Sequence, residues 1–141
     1  MDIVTPAVRS RMMAGIRHAD TTPEKIIRSG LHRAGFRFVL HDTSLPGKPD
    51  LVLPRYRAVI FVHGCFWHRH DCELFHLPAT RRAFWQAKLD KNRERDQRHL
   101  QQLTALGWRV GVVWECEIRG SQKDPAKVCQ TLADWLLEEM A

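Results

Sequence analysis

The segment from Phe61 to Cys72 holds three histidines, two cysteines and an aromatic pair within twelve residues. Thiolate and imidazole are the side chains that bind zinc best, so donors at this spacing can share one ion. A fourth donor at the end of a distant apolar run can reach the segment if that run forms a strand. The predicted zinc ligands are Cys65, His70, Cys72 and Cys116. His63 and His68 are then left for chemistry or for ligand contact.

The cysteine content favours metal binding over disulfides. The chain has no apolar signal region at its N-terminus and no run of about 20 apolar residues, so we expect a cytoplasmic protein without a membrane span. Cysteines in that reducing compartment bind metals more often than they form disulfides. Cys129 is the exception, because it falls in a helical pattern with Val128 and Leu132 and is expected to be an inert buried thiol.

Composition and charge predict one soluble domain with an anionic partner. The chain has 141 residues, 44% of them hydrophobic, which suits a single core. Its 22 Lys and Arg against 16 Asp and Glu give a net charge of +6. The cations that follow the Cys/His segment are Arg81, Arg82, Lys88, Lys91, Arg93, Arg95 and Arg98. They either neutralise a phosphate backbone or form a solvated helix face paired with Glu94 and Asp96.

Hydrophobic periodicity and capping residues predict the order of the elements. Helices are predicted over residues 5–18, 22–34, 80–106 and 125–139, and strands over 36–40, 50–53, 58–62 and 109–114. Residues 59–62 are continuously apolar, which indicates a central strand buried on both faces, and residues 109–114 are predicted to be another buried strand. This order favours an α/β sandwich whose sheet mixes antiparallel and parallel strands.

Two carboxylates extend the candidate site. Asp50 begins the second predicted strand after a loop rich in Gly and Pro, where an aspartate is more often a turn residue. The next strand leads to His63, so the two side chains would lie near one sheet edge. A carboxylate beside imidazoles can hold a magnesium ion, which activates water. Glu24, in the first turn of its helix, is either a second carboxylate of this site or a partner of the helix dipole.

Several blocks of this sequence resemble the very short patch repair endonucleases, in the same order and at similar spacing over nearly the whole chain. The blocks are residues 44–50 (SLPGKPD), 61–72 (FVHGCFWHRHDC), 78–81 (PATR), 91–96 (KNRERD), 107–110 (GWRV) and 113–116 (VWEC). The resemblance implies a single-domain, restriction-endonuclease-like (PD-(D/E)xK) sandwich with a structural zinc. Residues 1–20 would form a DNA-contacting helix or arm, and residues 21–141 the nuclease domain.

The implied activity is magnesium-dependent nicking of one strand of duplex DNA beside a thymine mispaired with guanine, a mispair that arises by deamination of 5-methylcytosine. The enzyme would act as a monomer, with mismatch-repair proteins as candidate partners. On the matching positions, Asp50 and the main-chain oxygen of Val62 would bind magnesium. His63 and His68 would transfer protons or stabilise charge, assisted by Glu24. The structural zinc would be held by Cys65, His70, Cys72 and Cys116. The residues that would contact the mismatched base step are Phe66, Trp67, Trp85 and, from the minor groove, Met13.

Two departures from common patterns bear on the chemistry. PD-(D/E)xK nucleases usually carry Glu-x-Lys on the strand after the aspartate, whereas residues 61–63 are Phe, Val and His here. Histidine can replace the lysine because its pKa of about 6.5 permits both proton acceptance and cationic stabilisation near neutral pH. Val62 stands where the family commonly has threonine, so any contribution of that hydroxyl to the rate is lost.

Other interpretations of these residues stay open. A zinc-stabilised DNA-binding module that has lost its nuclease activity would have the same fold, and Val62 is the residue that favours it. A zinc-dependent nucleobase deaminase is disfavoured because its His-x-Glu and Pro-Cys-x-x-Cys signature is absent. Phe66 and Trp67 could be core residues, but their position in a loop beside His68 favours insertion between bases. The tryptophans expected in the core are Trp108, Trp114 and Trp135.

Overall fold

The computed structural model describes residues 21–68 and 70–138. The predicted N-terminal arm, and Met13 with it, lie outside these residues. The α-helices of the described part are α1 (Thr22–Arg33), α2 (Arg82–Ala105), α3 (Glu115–Arg119) and α4 (Pro125–Leu137). Its strands are β1 (Val39–Leu40), β2 (Leu51–Leu53), β3 (Ala58–His63) and β4 (Arg109–Trp114), and a 3₁₀ turn (Pro54–Tyr56) joins β2 to β3. Among the described helices, none combines the length and the apolar character that a membrane span requires.

The strands form one mixed sheet in the order β1, β2, β3, β4. β2 is antiparallel to both of its neighbours, β1 and β3. β3 and β4 are parallel, with His63 opposite Trp114. A parallel pair needs a long crossover, which α2 and its flanking loops supply. The predicted α/β architecture with a mixed sheet is confirmed.

Helices cover both faces of this sheet. On one face, Ile60 of β3 belongs to a core that includes Ile27 of α1 and Leu136 of α4. On the other face, its neighbour Phe61 belongs to a second core with Leu103 of α2. Successive side chains of a strand point to opposite faces, so β3 contributes to both cores. The molecule is therefore a sandwich with α1 and α4 on one side of the sheet and α2 on the other.

The start of α1 is set by its cap. The Thr21 side chain accepts a hydrogen bond from the backbone N–H of Glu24 at 3.4 Å, and Pro23 occupies the first turn, where its missing N–H costs nothing. The helix ends before Gly35, whose φ of 99° suits a residue without a side chain. These local signals place the Glu24 carboxylate in the first helical turn.

Three details differ from the sequence-based predictions. β1 is shorter than residues 36–40, because Phe36 is buried in the core and its N–H bonds to the carbonyl of Leu31 at the end of α1. β4 was predicted to be a buried strand, which is wrong: it is an edge strand of the described sheet, and Val112 is 39% exposed. The short helix α3 was not predicted, since five residues carry too little periodicity.

Candidate active site and metal centre

The four predicted zinc ligands converge at the end of β3 and β4. One donor atom from each of Cys65, His70, Cys72 and Cys116 lies within 4.8 Å of the others. Nδ1 of His70 is 3.6 Å from Sγ of Cys65 and 3.5 Å from Sγ of Cys116. A tetrahedral zinc ion with its usual bond lengths spaces sulfur and nitrogen ligands about 3.6 Å apart. This group, which we call the thiol cluster, therefore fits a zinc ion in donor type and in spacing.

Two segments bring the thiol cluster together. The chain after β3 turns back on itself through a hydrogen bond from the His70 N–H to the Cys65 carbonyl at 2.9 Å. Cys116 was expected at a strand end, but it is the second residue of α3, which directly follows β4. Its N–H donates to Sγ of Cys65 at 3.3 Å. Because β3 and β4 are parallel neighbours, the segments that follow them begin side by side.

Two thiols of the cluster, those of Cys65 and Cys116, resist ionisation without a cation. Burial raises the pKa of both, and interaction with Cys72 raises it further, while the hydrogen bond with Cys65 offsets part of the rise at Cys116. A coordinated metal reverses this, because thiols that bind it lose their protons. Cys129 lies apart, half-buried against the core on the α1 side, and burial raises its pKa as well. That placement agrees with the prediction of an inert thiol.

Asp50 belongs to a second donor group, the carboxylate cluster, with Glu24 and His41. Oδ2 of Asp50 accepts a hydrogen bond from the backbone N–H of Val62 at 2.7 Å. Nε2 of His41 lies 3.0 and 2.9 Å from the two carboxylate oxygens of Glu24. Glu24 is only 1% exposed and also bonds to Arg28 at 3.0 Å. Its side chain therefore belongs to the donor group as well as to the first turn of α1.

The electrostatics of the carboxylate cluster favour a bound cation. Burial raises the pKa of Asp50 to about 7, and the hydrogen bond from Val62 offsets part of that rise. Glu24 raises the pKa of Asp50 further, because two adjacent carboxylates repel each other when both are ionised. A divalent cation between the carboxylates would compensate both the burial and the repulsion. The arrangement thus fits a metal ion on chemical grounds.

A third group, the histidine pair, consists of His63 and His68 with Asp96 behind them. The two imidazole rings are stacked, with their centroids 3.8 Å apart and their planes 6° apart. Nδ1 of His68 lies 2.5 Å from Oδ2 of Asp96 in α2. Among the described residues, the buried Nδ1 of His63 has no hydrogen-bond partner.

The members of the histidine pair have different electrostatic surroundings. Burial lowers the pKa of His63 to about 3, and the adjacent His68 lowers it further, so His63 is neutral near neutral pH. Partial burial acts to raise the pKa of Asp96, but the hydrogen bond with His68 and the electrostatic effects of His68, His63 and Arg95 together outweigh it and keep that pKa below its usual value. The ionised Asp96 accepts the Nδ1 hydrogen of His68, which leaves Nε2 of His68 for other partners.

Three aromatic residues predicted to contact the mismatch form one cluster. The centroid distances are 5.0 Å from Phe66 to Trp67, 5.6 Å from Phe66 to Trp85 and 6.2 Å from Trp67 to Trp85, with the rings edge to face. All three are half-buried rather than enclosed in a core. Phe84, which the sequence analysis did not single out, contacts Trp85 at 5.3 Å and is 45% exposed.

An open cleft of about 1500 Å³ connects these groups. It is lined by His41 and Asp50 of the carboxylate cluster, by the whole histidine pair with Asp96, and by Trp67. Three of the seven predicted cations also line it, namely Lys88, Arg93 and Arg95. Since all seven cations are exposed, α2 presents positive charge both to the cleft and to solvent. Such a cleft can accept a polyanion.

Trp114 was expected in the core, which is wrong. It is half-buried and lines the cleft, with its ring stacked on His70 at 4.1 Å and an angle of 8°. Its edge also approaches His63 at 5.2 Å. Trp114 thus separates the thiol cluster from the histidine pair. Trp108 and Trp135 pack, half-buried, against the two cores as predicted.

Two residues of the site were not found from the sequence. Asp96 had been assigned only to a solvated helix face, yet it lies seven residues from each of the two buried leucines of α2, Leu89 and Leu103. A carboxylate on the buried face of a helix could have been recognised from the sequence, because a buried charge needs an ion-pair or hydrogen-bond partner. His41 carries no comparable signal, since it simply follows a short strand.

Comparison with known proteins gives consistent matches. The family model described as DNA mismatch endonuclease Vsr matches residues 1–74. The DNA mismatch endonuclease Vsr of Escherichia coli is 49% identical over 142 residues, covering 99% of this chain and 90% of its own. The type II nicking enzyme V.XorIIP of Xanthomonas oryzae is 50% identical over 117 residues, covering 83% and 86%. The type II nicking enzyme V.NmeAIP of Neisseria meningitidis is 39% identical over 139 residues, covering 99% and 96%.

Proposed function

This chain belongs to the Vsr family of DNA mismatch endonucleases, and we propose that it nicks one strand of duplex DNA beside a T:G mispair, with magnesium as its catalytic metal. It is a DNA endonuclease, and several relatives are nicking enzymes. The main support for nicking at this site is the shared cleft, because Asp50 and the histidine pair line the same open surface. Deamination of 5-methylcytosine would be the source of the mispair.

Asp50 is the proposed magnesium ligand, together with the main-chain oxygen of Val62. When bound, magnesium would polarise the phosphodiester and activate a water molecule. Magnesium keeps several waters and takes only one or two carboxylates, so the small donor set of Asp50 and Glu24 suits it. The replacement of a threonine side chain by Val62 leaves the main-chain contact to Asp50 in place at 2.7 Å. This retained contact supports an active nuclease centre over a DNA-binding module without activity.

The histidine pair is proposed to move protons during phosphodiester hydrolysis. His63 is neutral near neutral pH, and its low pKa makes it a weak base in the protein alone. The negative charge of a bound phosphate would raise that pKa and allow His63 to accept a proton from the attacking water. His68, oriented by Asp96, would stabilise or protonate the leaving oxygen through Nε2. The two rings are stacked, so the pair would approach the scissile phosphate as one unit.

Zinc is the proposed ion of the thiol cluster, with a structural role. It would join the segment after β3 to α3, and both the donor set and the 3.5–3.6 Å spacing of sulfur and nitrogen support this identity. The sandwich itself, with Asp50 before β2 and His63 at the end of β3, supports a restriction-endonuclease-like (PD-(D/E)xK) fold. In that scheme residues 21–141 are the nuclease domain and residues 1–20 a DNA-contacting arm.

The half-buried aromatic cluster is proposed to read the mismatch. Phe66, Trp67 and Trp85 would insert at the mispaired step, where unstacking costs less than in matched duplex. Minor-groove contact by Met13 stays a prediction, because Met13 lies outside the described residues. Monomeric action, a cytoplasmic location and contact with mismatch-repair proteins also stay predictions of the sequence.

Asp50→Asn tests the proposed function. Asparagine keeps an acceptor for the Val62 N–H but removes the charge that would bind magnesium. We expect nicking of an end-labelled T:G duplex to fall by about 1000-fold or more, since the metal supplies several kcal/mol of transition-state stabilisation. Binding to the same duplex, measured by fluorescence anisotropy, should change little. The assignment fails if the variant nicks at the wild-type rate, or if the wild type nicks matched duplex equally well.

A further inference from the structure

The carboxylate cluster contains a nitrogen donor that the proposed function leaves unused. His41 is the residue opposite Asp50 when the register of β1 and β2, Val39 with Val52 and Leu40 with Leu51, is continued by one pair. The His41 N–H donates to the Asp50 carbonyl at 3.1 Å, which ties the two backbones together. Its imidazole is 18% exposed and lines the cleft.

We propose that His41 is a nitrogen ligand of the cation held by Asp50 and Glu24, so that this site prefers Mn²⁺ over Mg²⁺ more strongly than an all-oxygen site would. The inference deepens the proposed function, on which it rests for the presence of a cation at Asp50. His41 becomes an additional ligand of the site, and its nitrogen favours transition-metal ions such as Mn²⁺.

The distances within the cluster fit coordination. One donor atom from each of Glu24, His41 and Asp50 lies within 4.8 Å of the others. Nε2 of His41 lies 2.9 and 3.0 Å from the Glu24 oxygens. Neighbouring ligands of an octahedral ion with bonds of about 2.1 Å are spaced about 3.0 Å apart. A cation that lies off the line between Nε2 and a Glu24 oxygen can therefore bind both at their present separation, once the imidazole turns its lone pair toward it.

Glu24 has a cationic partner other than His41. Arg28 already donates to Oε2 of Glu24 at 3.0 Å and supplies a permanent positive charge there. Glu24 therefore keeps a cationic partner when the imidazole of His41 turns toward a metal ion. A neutral imidazole with its lone pair on Nε2 is the form that binds metals.

A nitrogen ligand changes the preference of the site among divalent ions. Mg²⁺ is a hard ion that takes oxygen ligands almost exclusively in proteins. Affinity for nitrogen rises from Mn²⁺ onward along the first transition row. Replacing one oxygen by imidazole nitrogen thus favours Mn²⁺ over Mg²⁺. Mn²⁺ also competes poorly with zinc for thiolates, so it leaves the thiol cluster undisturbed.

The test measures metal binding rather than nicking. Zinc-loaded, full-length protein without DNA is titrated with Mn²⁺, and free Mn²⁺ is followed by electron paramagnetic resonance. Competition with Mg²⁺ gives the ratio of the two affinities. We expect His41→Gln, which keeps a hydrogen bond to Glu24, to weaken Mn²⁺ binding by about tenfold and Mg²⁺ binding by less than about threefold. In pulsed resonance of the bound Mn²⁺, modulation from a coordinated imidazole nitrogen should disappear in this variant.

The controls separate this inference from the proposed function. His76→Gln, an exposed histidine outside the three donor groups, should leave both affinities and the nitrogen modulation unchanged. If the ratio of Mn²⁺ to Mg²⁺ affinity is the same in His41→Gln as in the wild type, the inference is overturned. It is also overturned if Mn²⁺ bound to the wild-type protein shows no nitrogen modulation, a result that does not depend on the stability of the variant. Modulation that is lost in His63→Gln instead would overturn it too. A failure of the proposed function would give a different result: Asp50→Asn would bind Mn²⁺ as tightly as the wild type does.

Discussion

The thiol cluster and the carboxylate cluster lie at the same end of the sheet but differ in the atoms they offer. The thiol cluster presents three sulfurs and one nitrogen, from the segment after β3 and from α3. The carboxylate cluster presents oxygens and one nitrogen, from α1 and from both ends of the connection between β1 and β2. Sulfur donors retain a borderline ion, whereas carboxylates hold hard ions that keep exchangeable waters.

Accessibility separates the two clusters further. Cys65 is completely buried, so an ion at the thiol cluster would act as a link between two segments of the fold. Asp50 lines the open cleft beside the histidine pair, where a phosphate can approach. The comparison indicates that donor type and exposure together distinguish a structural ion from a catalytic one. It also predicts that substitutions in the two clusters affect different measurements.

Cys72→Ala should give the largest effect. Removing one of four ligands should release the zinc, and the domain should then unfold or aggregate, because metal binding at such sites contributes directly to folding. Zinc content and thermal unfolding of the purified protein measure this. Cys129→Ala, at a half-buried thiol outside the cluster, should keep its zinc and unfold near the wild-type temperature. If the Cys72→Ala protein keeps one zinc per chain and unfolds at the wild-type temperature, the thiol cluster does not have the proposed structural role.

Asp96→Asn should affect chemistry without affecting the fold. The carboxylate holds the Nδ1 hydrogen of His68, so its loss should lower the nicking rate by about 10- to 100-fold. Single-turnover nicking with saturating enzyme isolates this step from DNA binding. Glu94→Gln, at an exposed carboxylate on the same helix, is the matched control and should be neutral. A loss of zinc or of thermal stability in Asp96→Asn would instead mean that the histidine pair supports the fold.

Trp67→Ala should reduce discrimination more than binding. Stacking of a base on an aromatic ring contributes about 1–3 kcal/mol, and a mismatched step unstacks most easily. The ratio of nicking on T:G over matched duplex should therefore fall by about tenfold. The measurement compares both duplexes for the wild type and the variant. An equal loss on the two duplexes would assign Trp67 to general DNA binding.

Val62→Thr should have the smallest effect. The contact that matters to Asp50 comes from the backbone of Val62, which the substitution leaves unchanged. We expect the nicking rate to change by less than about threefold, equivalent to less than about 0.7 kcal/mol. A gain of tenfold or more in the same single-turnover assay would show that a hydroxyl at this position takes part in the chemistry.

Local pattern was sufficient for the parts of the molecule whose determinants are close in sequence. Three of the four thiol-cluster ligands lie within eight residues, so their spacing alone predicted the group. The caps of α1 and α4 and the apolar run of β3 likewise marked these elements to within a few residues. By contrast, the exposure of β4 depended on its place at the sheet edge, which its own composition does not reveal.

The amino-acid sequence by itself determined the donor types, the order of helices and strands, and the family, because these follow from residue identity and short-range spacing. Only the tertiary structure decided that Asp96 orients His68 across 28 positions and that His41 meets Glu24 across 17. It also decided that Trp114 stands between two donor groups rather than in a core. Such pairings arise from sheet register and helix packing, in which each contact depends on the position of every layer.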